Sequence, residues 1–200
     1  MNKTFLIVLV VAAAIILAVV YSTRDVAPVD DNSAINAPNN ISNMKIISEA
    51  FNNNGFIPSK YTCDSEKAVS PPLIFSDVPN GTKSLVLIAD DPDVPKKLLP
   101  AGVFDHWVQF NISPTTTGIA AGTSAGTAGL NGTGKTGYVA PCPPPQYQPS
   151  EHRYIFSLYA LDSILNLPAG TSKQKVLAAM QGHILEEARL IGKYDRAPKK

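Results

Sequence analysis

Asp90, Asp91 and Asp93 crowd a turn, ADDPDVP at 89–95, that directly follows an apolar run. Carboxylates in such a turn can bond local backbone N–H groups while the prolines fix φ. Alternatively, one of them leans into a cleft and orients an imidazole. The chain offers three imidazoles, His106, His152 and His183. A neutral ring donates through one nitrogen, and a carboxylate beside it keeps it protonated and able to hold an anionic oxygen. Two histidines backed by such an acid would make a phosphate or other oxyanion site without a basic patch.

The same residue types suit a His2Asp2 metal site, which stays open because the spacing is not of the compact HExxH kind. The bland readings are a hydrogen-bonded core residue for His106, a surface loop for His152, a helix-packing residue for His183 and a plain turn for the acids. No G-x-S-x-G elbow occurs, and no G-x-G-x-x-G lies between a strand and a helix. Neither a serine hydrolase nor a dinucleotide cofactor is implied; the expectation is a binding protein without a cofactor rather than a conventional enzyme.

The elements that must position these groups read mainly as strands. Residues 84–89, SLVLIA, form a near-continuous apolar run suited to a strand covered on both faces. Residues 104–112 read as a second strand, in which His106 shares the parity of Phe104, Val108, Phe110 and Ile112 and so points with the apolar set. Residues 154–161 read as a third. Between the last two, 113–136 is made largely of Thr, Ala, Gly, Ser and Asn, with too little apolar mass to fold around itself; it reads as a long surface loop bordering the pocket. From Thr171, the residues Val176, Leu177, Met180, Ile184, Leu185, Ala188 and Ile191 recur at helical offsets, with Gly182 splitting the region and Gly192 ending it.

Seventeen prolines and thirteen glycines in 200 residues interrupt elements often, which favours short strands and turns. The net charge is +1, with nothing to attract nucleic acid at long range. Residues 5–21 are an unbroken apolar run whose helix would span roughly 26 Å, near the lower limit for a bilayer. Residues 1–24 are therefore expected to be a membrane anchor or a cleaved signal peptide. Residues 25–43 would be a flexible linker and 44–197 the folded domain, lying outside the cytoplasm as a membrane-tethered or secreted and periplasmic protein. Cys63 and Cys142 fit either one disulfide or two buried thiols.

Ordered motifs then carry a resemblance: IPSKYTCD at 57–64, SPPL at 70–73, GTKSLVLIADDPDVP at 81–95, FDHWVQFNI at 104–112, the Gly137-Tyr138 pair, APCPPP at 140–145, HRYIFSLYALD at 152–162 and GHILEEARLIGKY at 182–194. With these the chain resembles the phosphatidylethanolamine-binding protein family, in particular its bacterial and archaeal, Raf-kinase-inhibitor-like branch. The resemblance implies an antiparallel β-sandwich with short peripheral and C-terminal helices. It also implies a pocket for a small anion or phospholipid head group, formed by Asp91, Asp93, His106, the segment Ala140-Pro141-Cys142, and His152. Asp91 would orient a ring, His106 and His152 would contact the anion, and Asp93 would line the pocket or hold the loop. An inhibitor of a peptidase, or another protein-binding regulator, is the alternative. The chain departs from the family pattern at Ala140, usually glycine, at Asn131-Gly132-Thr133-Gly134, which lacks the usual acid and aromatic, and in the extended run 143–150.

Overall fold

The computed structural model describes residues 43–196. Nine strands occur there: β1 (Lys45–Ile47), β2 (Gly55–Phe56), β3 (Leu73–Ser76), β4 (Ser84–Asp91), β5 (Phe104–Ile112), β6 (Gly118–Ile119), β7 (Thr127–Ala128), β8 (Glu151–Leu161) and β9 (Ile184–Asp195), with one α-helix, α1 (Lys173–Met180), and a short 3-10 helix, Ser59–Tyr61. They form a three-stranded sheet, β1-β3-β6, and a six-stranded sheet, β2-β9-β8-β4-β5-β7. All pairings are antiparallel except that of the two-residue β2 with β9.

One core fills the space between the sheets, where Ile46, Leu73 and Phe75 of the small sheet meet Leu87, Phe156 and Leu158 of the large one. A second lies behind the large sheet, where Val86, Ile88, Val108 and Phe110 pack against Val176 and Met180 of α1. Strand β4 thus contributes alternate residues to two cores, which is why its sequence is apolar without alternation.

The 104–112 strand forms as expected, but the parity does not hold along it. Ala89 pairs with Trp107 while Asp90 pairs with Asp105, so His106 is the extra residue of a β-bulge. A second irregularity lies between the pairs Leu85–Ile112 and Leu87–Gln109, beside Asn111 with φ 53°. Val108 and Phe110 face the helix side, whereas Trp107 and Ile112 belong to the core between the sheets. The ring of His106 packs edge-on to that of Tyr154, a member of this inter-sheet core, at 5.1 Å. His106 therefore does not point with Val108 and Phe110; the bulge turns it to the opposite face.

Two further expectations are corrected. Helix ends at Met180, Gly182 takes a φ of 79°, and 184–195 is a strand paired with β8 along its length. Ala188, Leu190 and Tyr194 are buried at strand spacing, while Ile184 and Leu185, which completed the helical pattern, are exposed. Pairing with the long β8 edge outweighs a local period. Gly192 lies within the strand, where an added Cβ would come within 2.8 Å of Ile57 and Phe51 side-chain atoms. The 113–136 segment is likewise no free loop, since Gly118 and Ile119 pair with β3 and Thr127 and Ala128 with β5. It is rich in small residues because its backbone lies directly on its neighbours: a Cβ on Gly126 would sit 2.4 Å from the Phe110 carbonyl oxygen.

The expected membrane anchor, and with it the membrane as partner and the membrane-tethered localisation, does not stand. Among the described residues no helix is long and apolar enough to cross a membrane. Residues 1–24, on which that expectation rested, lie outside the described residues.

Gly126 and Gly134 separate backbone strain from crowding, since both have φ near +70° but Gly134 has open space around its Cα. Gly126→Ala should lower unfolding free energy by about 1–3 kcal/mol more than Gly134→Ala, the scale of overpacking. Urea denaturation of the two variants measures this, and equal losses would contradict the packing of 126 on β5.

Candidate functional site

Asp91 is the last residue of β4 and His152 the second of β8, and both are buried, at 3% and 2% exposure. The Nδ1–H of His152 donates to Asp91 Oδ2 at 2.7 Å. The other oxygen, Oδ1, accepts the backbone N–H of Asp93 at 2.9 Å, so one carboxylate orients the ring and closes the turn. Asp93 points elsewhere: Arg153 donates to it from Nε, Nη2 and its backbone N–H, at 2.7–2.9 Å. Among the expected ligand-binding residues, Asp93 thus pins the turn to β8 and does not line the cavity.

His106 reaches the same place from the bulge of β5. Its Nδ1–H donates to the Val139 carbonyl at 2.6 Å, and Val139 N–H donates back to the His106 carbonyl at 2.9 Å. This double tie fixes the start of the 139–142 wall. Its other end is fixed by the Cys63–Cys142 disulfide, with Cα atoms 5.3 Å apart, and by the Cys63 N–H donating to the Pro141 carbonyl. Pro141 is buried and does not line the cavity, while Ala140 and Cys142 do. Ala140 has none of the positive φ that would demand glycine, so its methyl group bends nothing.

These groups surround a cavity of about 550 Å³, within the range of about 300–1,000 Å³ usual for small-molecule sites. Asp91, His106 and His152 give it one polar end. Val94, Pro95, Leu98, Leu99, Ala140, Pro143 and Pro144 give the rest of its lining an apolar character. Sequence reasoning missed Asp105, Lys173 and Gln174, which also line it. Lys173 sits in the first turn of α1, and only the β5–α1 contact, absent from any local pattern, brings it to the cavity. His183 lies apart, paired with Asp162 in an exposed position. Among the described residues no group of three or more His, Cys, Asp and Glu side chains is arranged to hold a metal ion.

The two rings are tuned in opposite directions. Burial pushes the His106 pKa below its ordinary value, and the Val139 carbonyl only partly offsets this. Burial also disfavours charge on His152, but the hydrogen bond to Asp91 and the charges of Asp91 and Asp93 outweigh it and hold its pKa above the ordinary value.

A sandwich whose polar strand ends converge on an apolar-walled cavity defines a ligand-binding protein. The chain belongs to the phosphatidylethanolamine-binding protein family, whose model matches residues 47–195. It is 48% identical over 160 residues to a UPF0098 protein of Methanothermobacter thermautotrophicus, covering 76% of this chain and 99% of that protein. To a UPF0098 protein of Chlamydia trachomatis it is 44% identical over 154 residues, covering 76% and 99%. The crystal structure of a phosphatidylethanolamine-binding protein homologue from Chlamydia trachomatis superposes with a TM-score of 0.72 at 44% identity, over 76% of this chain and 97% of that one. Escherichia coli YbcL, at 22% identity and a TM-score of 0.66 over 76% and 98%, shares the fold.

In a histidine NMR titration, His152 should titrate above and His106 below the ordinary value of about 6.5. Asp91→Asn should bring the His152 midpoint down. For stability, the raised His152 contributes fully below the unfolded value and loses that contribution as pH rises through its folded pKa. The depressed His106 works the other way, destabilising the fold as pH falls below about 6.5. A His106 midpoint above that of His152 would contradict the arrangement.

Proposed function

We propose that the domain, taken as residues 44–197, binds the phosphate group of a small organic anion of the phosphomonoester or phospholipid head-group class. The single observation that carries this reading is that His106 and His152, 46 positions apart in sequence, line one cavity with Asp91 behind one of them. With both Nδ1 atoms engaged, Nε2 is the nitrogen left on each ring to meet a ligand. The protonated His152 donates through Nε2 to an anionic oxygen, a charge-assisted hydrogen bond. The neutral His106 accepts through Nε2, matching a P–OH of a singly ionised phosphate, whose second pKa lies near about 6. The apolar walls would cover the ligand's carbon body.

A protein-binding or peptidase-inhibiting role would rest on the 113–136 segment. That segment is stitched to β3 and β5, so the cavity supports phosphate binding better than it supports inhibition.

Addition of n-propyl phosphate should shift the ring resonances of His106 and His152 and leave those of His183 in place. His152→Gln should weaken binding by about tenfold or more, the scale of a charge-assisted hydrogen bond. Affinity should fall as pH rises through the raised pKa of His152. Shifts confined to His183, or affinity that rises with pH, would overturn the proposal.

A further inference from the structure

Residues 139–150 carry neither strand nor helix, yet Ala140, Cys142, Pro143 and Pro144 line the cavity. The sequence explains the missing ladder: in PCPPP, at 141–145, only Cys142 has a backbone N–H to donate. A segment with so few donors cannot be zipped onto a strand edge and needs another fastening. The covalent bond from Cys142 to Cys63 supplies it, backed by the hydrogen bond from the Cys63 N–H to the Pro141 carbonyl at 3.0 Å.

The two ends of that bond are held differently. Cys63 follows the buried residues Tyr61 and Thr62, in a turn closed by its own short-range bonds: Thr62 N–H donates to the Ser59 carbonyl and Ser65 N–H to that of Thr62. The Tyr138 hydroxyl also donates to the Tyr61 carbonyl, at 3.1 Å. This side keeps its place without the disulfide. Cys142 lies exposed between prolines, so the wall is the side that the bond holds. Exposure at Cys142 also puts the bond within reach of an attacking thiolate.

We propose that the Cys63–Cys142 disulfide is a redox latch on the cavity wall: a dithiol reductant opens it, frees 140–145 from the anchored 61–63 turn and lowers the affinity of the cavity, while both sheets stay folded. One thiolate of the reductant attacks Sγ of Cys142, and Cys63 leaves as a thiolate that takes up a proton. The second thiol of the reductant then displaces Cys142 from the mixed disulfide. The protein gains two electrons and two protons, and the reductant ends as a disulfide. The freed wall keeps hydrogen bonds at Val139 and Pro141, each of modest net strength. The inference rests on the phosphate reading only for its binding readout.

The test records NMR spectra of the full chain before and after dithiothreitol, with alkylation and intact mass confirming that both cysteines are free. Amide resonances of Cys63, Ala140 and Cys142 should move, and relaxation should show added fast motion at 140 and 142, while Leu87 and Leu158 of the core keep their positions. Calorimetric affinity for n-propyl phosphate should fall about tenfold or more on reduction and return on reoxidation, since apparent affinity scales with the fraction of molecules whose wall is closed. The double variant Cys63→Ser, Cys142→Ser should match the reduced protein and ignore the reductant. A bridge that resists dithiothreitol in the folded protein, or wall resonances that stay in place once it is reduced, would overturn the latch. Loss of the core resonances as well would make the bridge a staple of the whole fold and equally refute it. An open wall with unchanged affinity would refute the control of binding. If the oxidised protein binds no n-propyl phosphate, the phosphate reading fails and the wall resonances alone decide the latch.

Discussion

Asp91 divides its carboxylate between the backbone N–H of Asp93 and the Nδ1–H of His152, at 2.9 and 2.7 Å, in a place almost without solvent. The rest of the site depends on that division. A buried carboxylate and a buried ring are each costly unless the other satisfies them, and removing one partner strands its mate. The pair forms only because the antiparallel β4–β8 register, in step from Ser84–Leu161 to Asp90–Ile155, brings the end of one strand beside the start of the other. The Arg153–Asp93 ion pair fastens the turn one residue further along β8.

Around this pair the sheet is shaped to bring distant groups together. A regular strand would have sent His106 to the helix side with Val108; the bulge sends it to the cavity and leaves Asp105 for Lys173. The 139–142 wall has no regular hydrogen-bonded ladder and is held at its two ends instead. His106 holds one and the Cys63–Cys142 link the other. One ring thus serves as a wall anchor through Nδ1 and keeps Nε2 for ligand, so displacing the wall also frees the ring that anchors it.

Much of this was legible in the residues. The apolar run at 84–89, the strand at 104–112 and the ADDPDVP turn all appear where composition and turn chemistry place them, and the ordered motifs lead to the family that the comparisons show. What escaped has physical reasons. Ile184, Leu185, Ala188 and Ile191 fit a helix period, but β8 offers a long edge, and Ala188, Leu190 and Tyr194 fit a strand equally well; only the partner decides. The face of His106 depends on a one-residue bulge, which reverses side-chain direction without any signature in composition. Lys173 gave no signal because its meaning lies in Asp90 and Asp105, 83 and 68 positions away. The small residues of 113–136 read as a loop because steric demand and flexibility select the same amino acids.

The central claim, that both rings use Nδ1 to bind protein and present Nε2 to one cavity, is tested most directly by the imidazole ¹⁵N shifts of His106 and His152, recorded above both midpoints where each ring is neutral. The account predicts the Nδ1–H tautomer at both positions, since a carbonyl oxygen holds one proton and a carboxylate the other. An Nε2–H tautomer at either ring would contradict it, for that ring would then lack the partner on which its orientation rests.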